Sequence, residues 1–173
     1  MIRGNCVRIG GGGNGDKEFI ERTIKSVKSN TLTSIGYWAF ANCSSLEKAS
    51  FPSATEMGEQ SFFGCSSLTE ISIPLIEVVA AYSFWGCESL ASITLPSVTE
   101  IQQDAFYECK RLVSLYLPGA TVPYIDAPFY GTPIGGDISV SGEIGKIYVP
   151  SSMYNDYIND DSWSYMADQI VAV

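Results

Sequence analysis

Four cysteines recur at a constant interval of 22 residues, at Cys43, Cys65, Cys87 and Cys109. Three further columns keep the same interval: Phe40, Phe62, Phe84 and Phe106; Leu46, Leu68, Leu90 and Leu112; Pro52, Pro74, Pro96 and Pro118. Such a period means that one short unit is repeated, and a unit of this size can bury its apolar side only by stacking on copies of itself. Over residues 55–76 the unit reads TEMGEQSFFGCSSLTEISIPLI, with apolar positions at Met57, Phe62, Cys65, Leu68, Ile71, Ile73 and Ile76.

From Leu68 to Pro74 apolar and polar residues alternate until a proline ends the run, the pattern of a short strand closed by a turn. The equivalent segments place strands near residues 47–51, 69–73, 91–95, 113–117 and 146–149. Stacked coils pair such strands in parallel about 4.8 Å apart. The expected fold is therefore a mostly β, right-handed repeat solenoid with Leu, Ile and Phe ladders inside it. Each fully buried large side chain contributes roughly 1.5 to 3 kcal/mol before entropy is subtracted. The four ladder cysteines point inward side by side, a poor geometry for disulfides, so they are expected to be reduced, buried and unreactive. Cys6 lies outside the ladder and is expected to be the cysteine that is reactive or adventitiously paired.

The period also divides the chain. Residues 36–120 hold four full units, and stepping back 22 from Leu46, Ala49 and Met57 reaches Ile24, Val27 and Ile35, a worn first strand within an N-terminal cap at 16–35. Residues 1–15, rich in glycine, read as a linker, although Cys6-Val7-Arg8-Ile9 has strand character. The strand Leu115-Tyr116-Leu117-Pro118 returns as Ile147-Tyr148-Val149-Pro150, so the coil at 121–150 is elongated, with Gly135, Gly136 and Gly142 marking an inserted turn. In the closing segment 151–173, Ser151 reads as a helix N-cap, and Met153, Tyr157, Trp163, Met166 and Ile170 are spaced to cover the open end with helical turns.

The unit Ile-x-x-x-Ala-Phe-x-x-Cys-x-x-Leu-x-x-Ile-x-Leu-Pro, present from Ile101 to Pro118 with Leu115 as its first strand residue, resembles the BspA-like bacterial leucine-rich repeat. The ending IYVPSSMYNDYINDDSWSYMADQIVAV is similar to the closing segment of such proteins in gut Firmicutes and their prophages. The resemblance covers about residues 19–173 and implies a leucine-rich-repeat solenoid with a non-catalytic role in surface attachment or protein binding. It carries no catalytic residues across. It also implies a cell-surface or virion location, whereas the N-terminus shows no signal-peptide core and the chain no LPxTG-type sorting motif.

Composition narrows the chemistry. With no histidine, Ser-His-Asp and Cys-His catalysis are excluded, and a zinc site would have only cysteines and carboxylates. The formal net charge of −9 opposes broad contact with nucleic acid or an anionic membrane, and no apolar run is long enough for membrane insertion. Gly10, Gly12 and Gly15 satisfy G-x-G-x-x-G, but no second βαβ unit remains to build a dinucleotide crevice, so no cofactor is expected. Glu56 and Glu100 share a column, as a carboxylate-based hydrolase would want, yet the repeat builds no deep pocket to separate their roles.

Two outward columns remain as candidate contact surfaces. One follows the ladder phenylalanine: Ala41, Phe63, Trp85, Tyr107 and, after Phe129, Tyr130, an aromatic stripe that either recognises a ligand or shields the coil corners. The other is the strand face, with Ser50, Ser72, Thr94, Tyr116 and Tyr148 flanked by Lys48, Glu70, Ser92, Ser114 and Lys146. Tyr116, Tyr148 and Lys146 converge on its C-terminal third, with Thr94 beside them, and the Gly135–Gly142 loop is expected to wall that patch. The function expected is a non-enzymatic module recognising a protein or glycan. A structural spacer in a phage virion or cell-surface assembly is the alternative.

Overall fold

The computed structural model describes the backbone of residues 8–9 and, in full, residues 23–139 and 141–173. Cys6 and the Gly10–Gly15 motif lie outside the described residues, as does most of the segment read as linker and cap. The chain winds as a solenoid of short parallel strands on two sides of each coil.

The long-strand side comprises β2 (Ser26–Lys28), β4 (Lys48–Ser50), β6 (Glu70–Ser72), β8 (Ser92–Thr94), β10 (Ser114–Tyr116) and β12 (Lys146–Val149). These are the strands the alternation places, each within a residue or so. Their register follows the repeat, with Val27 opposite Ala49, Ala49 opposite Ile71, and Ile93 opposite Leu115. The ten extra residues of the fifth coil loop aside, so that Leu115 still meets Ile147 and Tyr116 meets Tyr148.

A second side, absent from the sequence expectation, is built from two-residue strands: β1 (Arg8–Ile9), β3 (Ser34–Ile35), β5 (Glu56–Met57), β7 (Val78–Val79), β9 (Glu100–Ile101) and β11 (Tyr124–Ile125). Two residues cannot display an alternation, which is why pattern reading passed over them. The strand character read at residues 6–9 falls partly here, since Arg8–Ile9 pairs with Ser34–Ile35 inside the segment assigned as linker.

Between β5 and the next long strand the chain turns a corner that carries the core. Phe40, Phe62, Phe84, Phe106 and Phe129 stack face to face at centroid spacings of 5.1, 5.4, 5.2 and 5.7 Å and are buried. Each corner holds a left-handed residue, at Trp38, Gln60, Tyr82 and Asp104, with φ between 52 and 58°. Such a conformation in bulky residues costs on the order of 1–3 kcal/mol and persists only where the surroundings enforce it. Here they do: the amides of Trp38, Gln60 and Tyr82 donate to the carbonyls of Glu59, Ala81 and Gln103 in the next coil. A second left-handed position recurs at Asn42, Gly64, Gly86, Glu108 and Gly131, and its amides reach the next coil in the same way at Asn42 to Phe63 and Gly64 to Trp85.

The ladder cysteines do more than fill space. The thiols of Cys65, Cys87 and Cys109 donate to the carbonyl oxygens of Phe40, Phe62 and Phe84 in the preceding coil, at sulfur–oxygen distances of 3.1, 3.3 and 3.1 Å. Each buried thiol thus satisfies itself while tying two coils together. Burial pushes the ionisation of Cys65, Cys87 and Cys109 well above the ordinary thiol range.

The closing segment departs from expectation in two places. Ser151 is not the helix cap: the six-residue helix α1 (Tyr154–Asn159) starts after Met153, while the Ser151 amide and hydroxyl donate to the Val173 carbonyl. Nor is Ile170 helical. A 3-10 helix at Ser164–Gln169 runs into β13 (Ile170–Ala172), which pairs parallel to β12 with Ile147 opposite Ile170. Completing the exposed edge of β12 with another strand satisfies backbone groups that a helix laid across it would leave unpaired. The helical turns still cover the core, through buried Tyr157, Trp163 and Met166. The Trp163 indole donates to the Pro123 carbonyl at 2.6 Å.

One seam interrupts this order. Strand pairing stops between β6 and β8 and also between β5 and β7, so both sides open between the same two coils. At the corner the coils stay joined, by Phe62 to Ser83 and Gly64 to Trp85 backbone bonds and by the Ser97 hydroxyl on the Pro74 carbonyl. The seam falls where one column changes from glycine to alanine. A Cβ on Gly58 would stand 2.5 Å from the Tyr37 nitrogen, so Gly36 and Gly58 allow a close approach that Ala80, the next in the column, does not. Ile71 and Met57, inward at the seam, are half-exposed as a result.

Two measurements follow. In native-state hydrogen exchange the amides of Ile73 and Ala91, at the seam, should exchange faster than their repeat equivalents Phe51, Leu95, Thr69 and Val113, which are bonded to the neighbouring coil; equal protection would refute an open seam. A bulky thiol reagent should leave Cys43, Cys65, Cys87 and Cys109 unmodified in the folded protein. Raising the pH through the usual thiol range should not speed modification of Cys65, Cys87 and Cys109, because burial keeps those three thiols protonated there.

Candidate binding faces

The strand face changes character along the solenoid. In its N-terminal half Ser26, Lys28, Lys48, Ser50 and Glu70 line a shallow groove of about 340 Å³. Ion pairs tie successive coils there, Lys25 to Glu47 at 3.0 Å and Lys48 to Glu70 at 2.7 Å, and again further along the solenoid, Lys110 to Glu88 at 2.7 Å. The hydrogen bond and charge of Glu70 raise the ionisation of Lys48, and those of Glu88 raise that of Lys110. All are solvated, so they set register more than they stabilise.

In the C-terminal third, strand pairing aligns Tyr116 with Tyr148, and their rings stack at 4.6 Å and 12°. Tyr116 is 39% exposed. Thr94 continues the same line in β8. Lys146 is half-buried, its ammonium donating to the Asp168 carbonyl at 3.2 Å, so the closing segment holds this cation beside the tyrosines. The inserted loop lies against the start of the strands, where Ser141 and Glu143 face Ala91, Arg111 and Val113 across a groove of about 370 Å³. A wall therefore stands next to the patch, on the side of Ser114 and Lys146 and not over the tyrosines.

On the corner, the stripe forms one stack: Phe63 to Trp85 at 5.8 Å, Trp85 to Tyr107 at 4.0 Å, and Tyr107 to Tyr130 at 5.0 Å. Phe63, Trp85 and Tyr107 are half-buried by one another, whereas Tyr130 at the end of the stack is 67% exposed. Packing, the nearby Tyr130 and the carboxylates of Glu108 and Asp104 raise the ionisation of the Tyr107 phenol. Sequence reading missed neighbours of this stripe. Tyr82 packs on Trp85 at 5.6 Å, and Trp38 donates its indole hydrogen to Gln60. Both occupy the left-handed corner position, whose identity varies from coil to coil and so forms no column.

Glu56 and Glu100 stand on β5 and β9, with the β7 position of Val78 between them by the repeat. They lie two coils apart on the outer surface, an arrangement that encloses no reacting group between them. Among the described residues no helix is long and apolar enough to cross a membrane.

The leucine-rich solenoid fold recurs in other proteins. No curated protein matches the chain. A leucine rich cell surface protein from Faecalibacterium prausnitzii is 29% identical, with a TM-score of 0.52, over 55% of this chain and 26% of its own. The T. pallidum leucine rich repeat protein shares the fold at a TM-score of 0.60 and 22% identity, over 86% of this chain and 61% of its own. A leucine-rich repeat protein from Bacteroides ovatus does so at 0.52 and 23%, over 78% and 42%. The chain thus spans less than two thirds of each of these proteins. Residues 15–134 match the BspA type leucine rich repeat region in 6 copies. With most of its length accounted for by that repeat, and with the coil geometry to match, the chain belongs to the BspA-type leucine-rich repeat family.

Proposed function

We propose that this chain is a non-enzymatic recognition module that attaches to a protein partner through the C-terminal third of its strand face. The observation that carries the reading is the stacked Tyr116–Tyr148 pair, held on a backbone-paired sheet beside a walled groove. Tyrosine offers a large contact area with few rotatable bonds, and here the stack fixes those bonds before binding. Lys146 and Arg111 add positive charge to a patch on an otherwise acidic chain, which favours partners carrying carboxylates. The cell-surface description of the Faecalibacterium protein supports attachment at a bacterial surface as the setting.

The test is adhesion of the immobilised chain to panels of host surface proteins and of glycans, followed by affinity measurement on the hits. Tyr116→Ala combined with Tyr148→Ala should weaken binding about thirtyfold or more while the unfolding transition stays cooperative. Trp85→Ala should bind normally. The reverse pattern would move the site to the corner stripe, hits among glycans alone would replace the protein partner, and a chain that binds nothing on either panel would favour the structural-spacer reading.

A further inference from the structure

From residue 23 onward the charges are sorted by side. Lys25, Lys28, Lys48, Lys110, Arg111 and Lys146 all fall within a long strand or in the segment leading into one. Glu47, Glu70 and Glu88 match three of them in the ion pairs between coils. The opposite stretch, from the two-residue strands to the corner, carries Glu56, Glu59, Glu77, Glu100, Asp104, Glu108 and Asp126 and, from residue 23 onward, no Lys or Arg; Arg8 begins β1 on this side, in register with Ser34 and Glu56. Glu108 pairs with Lys110 at 3.5 Å and the Glu100 carboxylate accepts from the Gln102 amide at 3.0 Å, while Glu100 and the other five form no ion pair among the described residues.

Exposed aromatic rings stand on this acidic side as well. Tyr37, Tyr124 and Tyr130 are 47, 61 and 67% exposed there, and Tyr130 ends the Trp85–Tyr107 stack. A ring face attracts a cation through its quadrupole, and a carboxylate beside it can take a guanidinium through two parallel hydrogen bonds. Both groups together suit arginine, whose flat, weakly hydrated head stacks and pairs at once, better than lysine.

The spacing tells an ion from a chain. Glu56 and Glu100 sit two coils apart with the open seam between β5 and β7 lying between them, so at least about 10 Å, two ordinary strand spacings, separates them. A single metal ion holds its ligands within about 2.6 Å, and no group of three metal-ligating side chains converges among the described residues. An extended polypeptide covers the same distance in about three residues.

We propose that this side of the solenoid docks a basic polypeptide, an arginine-rich segment of another protein laid along the solenoid axis across Glu56, Glu100, Asp104 and Tyr130. The unpaired negative field steers such a segment from a distance, and the exposed rings hold it at contact. This surface is separate from the tyrosine pair of the strand face, so either proposal can fail without the other.

A fluorescently labelled arginine-rich peptide serves as the probe, titrated at low and high salt beside a counterpart with every arginine replaced by glutamine. The arginine peptide should bind, more weakly as salt rises, and the glutamine peptide should not. The triple variant Glu56→Gln, Glu100→Gln, Asp104→Asn should weaken binding about tenfold. The variant Glu47→Gln, Glu70→Gln, Glu88→Gln, which changes net charge equally on the other side, should leave it within about twofold. Tyr130→Ala should weaken the arginine peptide more than a lysine analogue, and Tyr116→Ala with Tyr148→Ala should change neither. Equal losses from the two triple variants would reduce the effect to net charge and overturn the proposal. So would absence of binding at low salt, or equal binding of the glutamine peptide.

Discussion

The structure depends on the register between one coil and the next at the Phe–Cys corner. Three bonds meet there: a phenylalanine ring stacked on its neighbour, a thiol donated to the phenylalanine carbonyl of the coil before it, and an amide from a left-handed residue donated to the coil after it. None is strong by itself, since a thiol is a weak donor and a typical internal hydrogen bond nets only about 1 kcal/mol. Their effect is geometric. Alanine in the cysteine's place would leave the carbonyl of Phe62 with a single donor, whereas the hydroxyl of Thr132, which stands at the cysteine position of the fifth coil, donates to the Phe129 carbonyl instead. Cysteine satisfies both the volume and the lone pair. The seam shows the hierarchy: where the strands of two coils part, the corner between them keeps its bonds.

A fixed register turns every outward position into a column, and columns are what give a solenoid its surfaces. Tyr116 and Tyr148 stack because Leu115 and Ile147 beneath them are paired, although 32 residues separate the tyrosines in sequence. The same alignment adds the charges of Glu56, Glu100 and Asp104 into one field, and it stacks Trp85 on Tyr107. Side chains that would be scattered on an irregular fold thus act together. The two sides of the coil consequently present different chemistry: tyrosines with neighbouring cations on one, rings among carboxylates that mostly form no ion pair among the described residues on the other.

Much of this was legible in the sequence because identity and period coincide. The Phe, Leu and Cys columns named the core, and alternation ending in proline located the long strands. Subtracting the inserted residues of the fifth coil brought Tyr148 beside Tyr116. What escaped detection had no side-chain signature. Glu56–Met57 and Val78–Val79 are too short to alternate, and the left-handed turns at Trp38, Gln60 and Tyr82 are imposed by backbone bonds that their side chains do not announce. Ile170 sits at a helical interval from Met166, yet the free edge of β12 decides its conformation. Lys146 was visible as a cation, but its carbonyl partner at Asp168 depends on where the closing segment comes to rest.

The central claim is that the repeat register, and not the composition of any coil, holds the molecule together. Deleting residues 77–98 removes one whole coil and rejoins Ile76 to Thr99 in register. This variant should unfold in denaturant as one cooperative transition, with a slope reduced in proportion to the surface lost. A deletion longer by one residue removes nearly the same apolar mass but leaves a junction coil too short to loop a difference aside, which puts Phe106 and Cys109 out of line with Phe62 and Cys65, so it should lose the single cooperative transition. If the two deletions unfold alike, whether both cooperatively or neither, the register is not what the fold depends on.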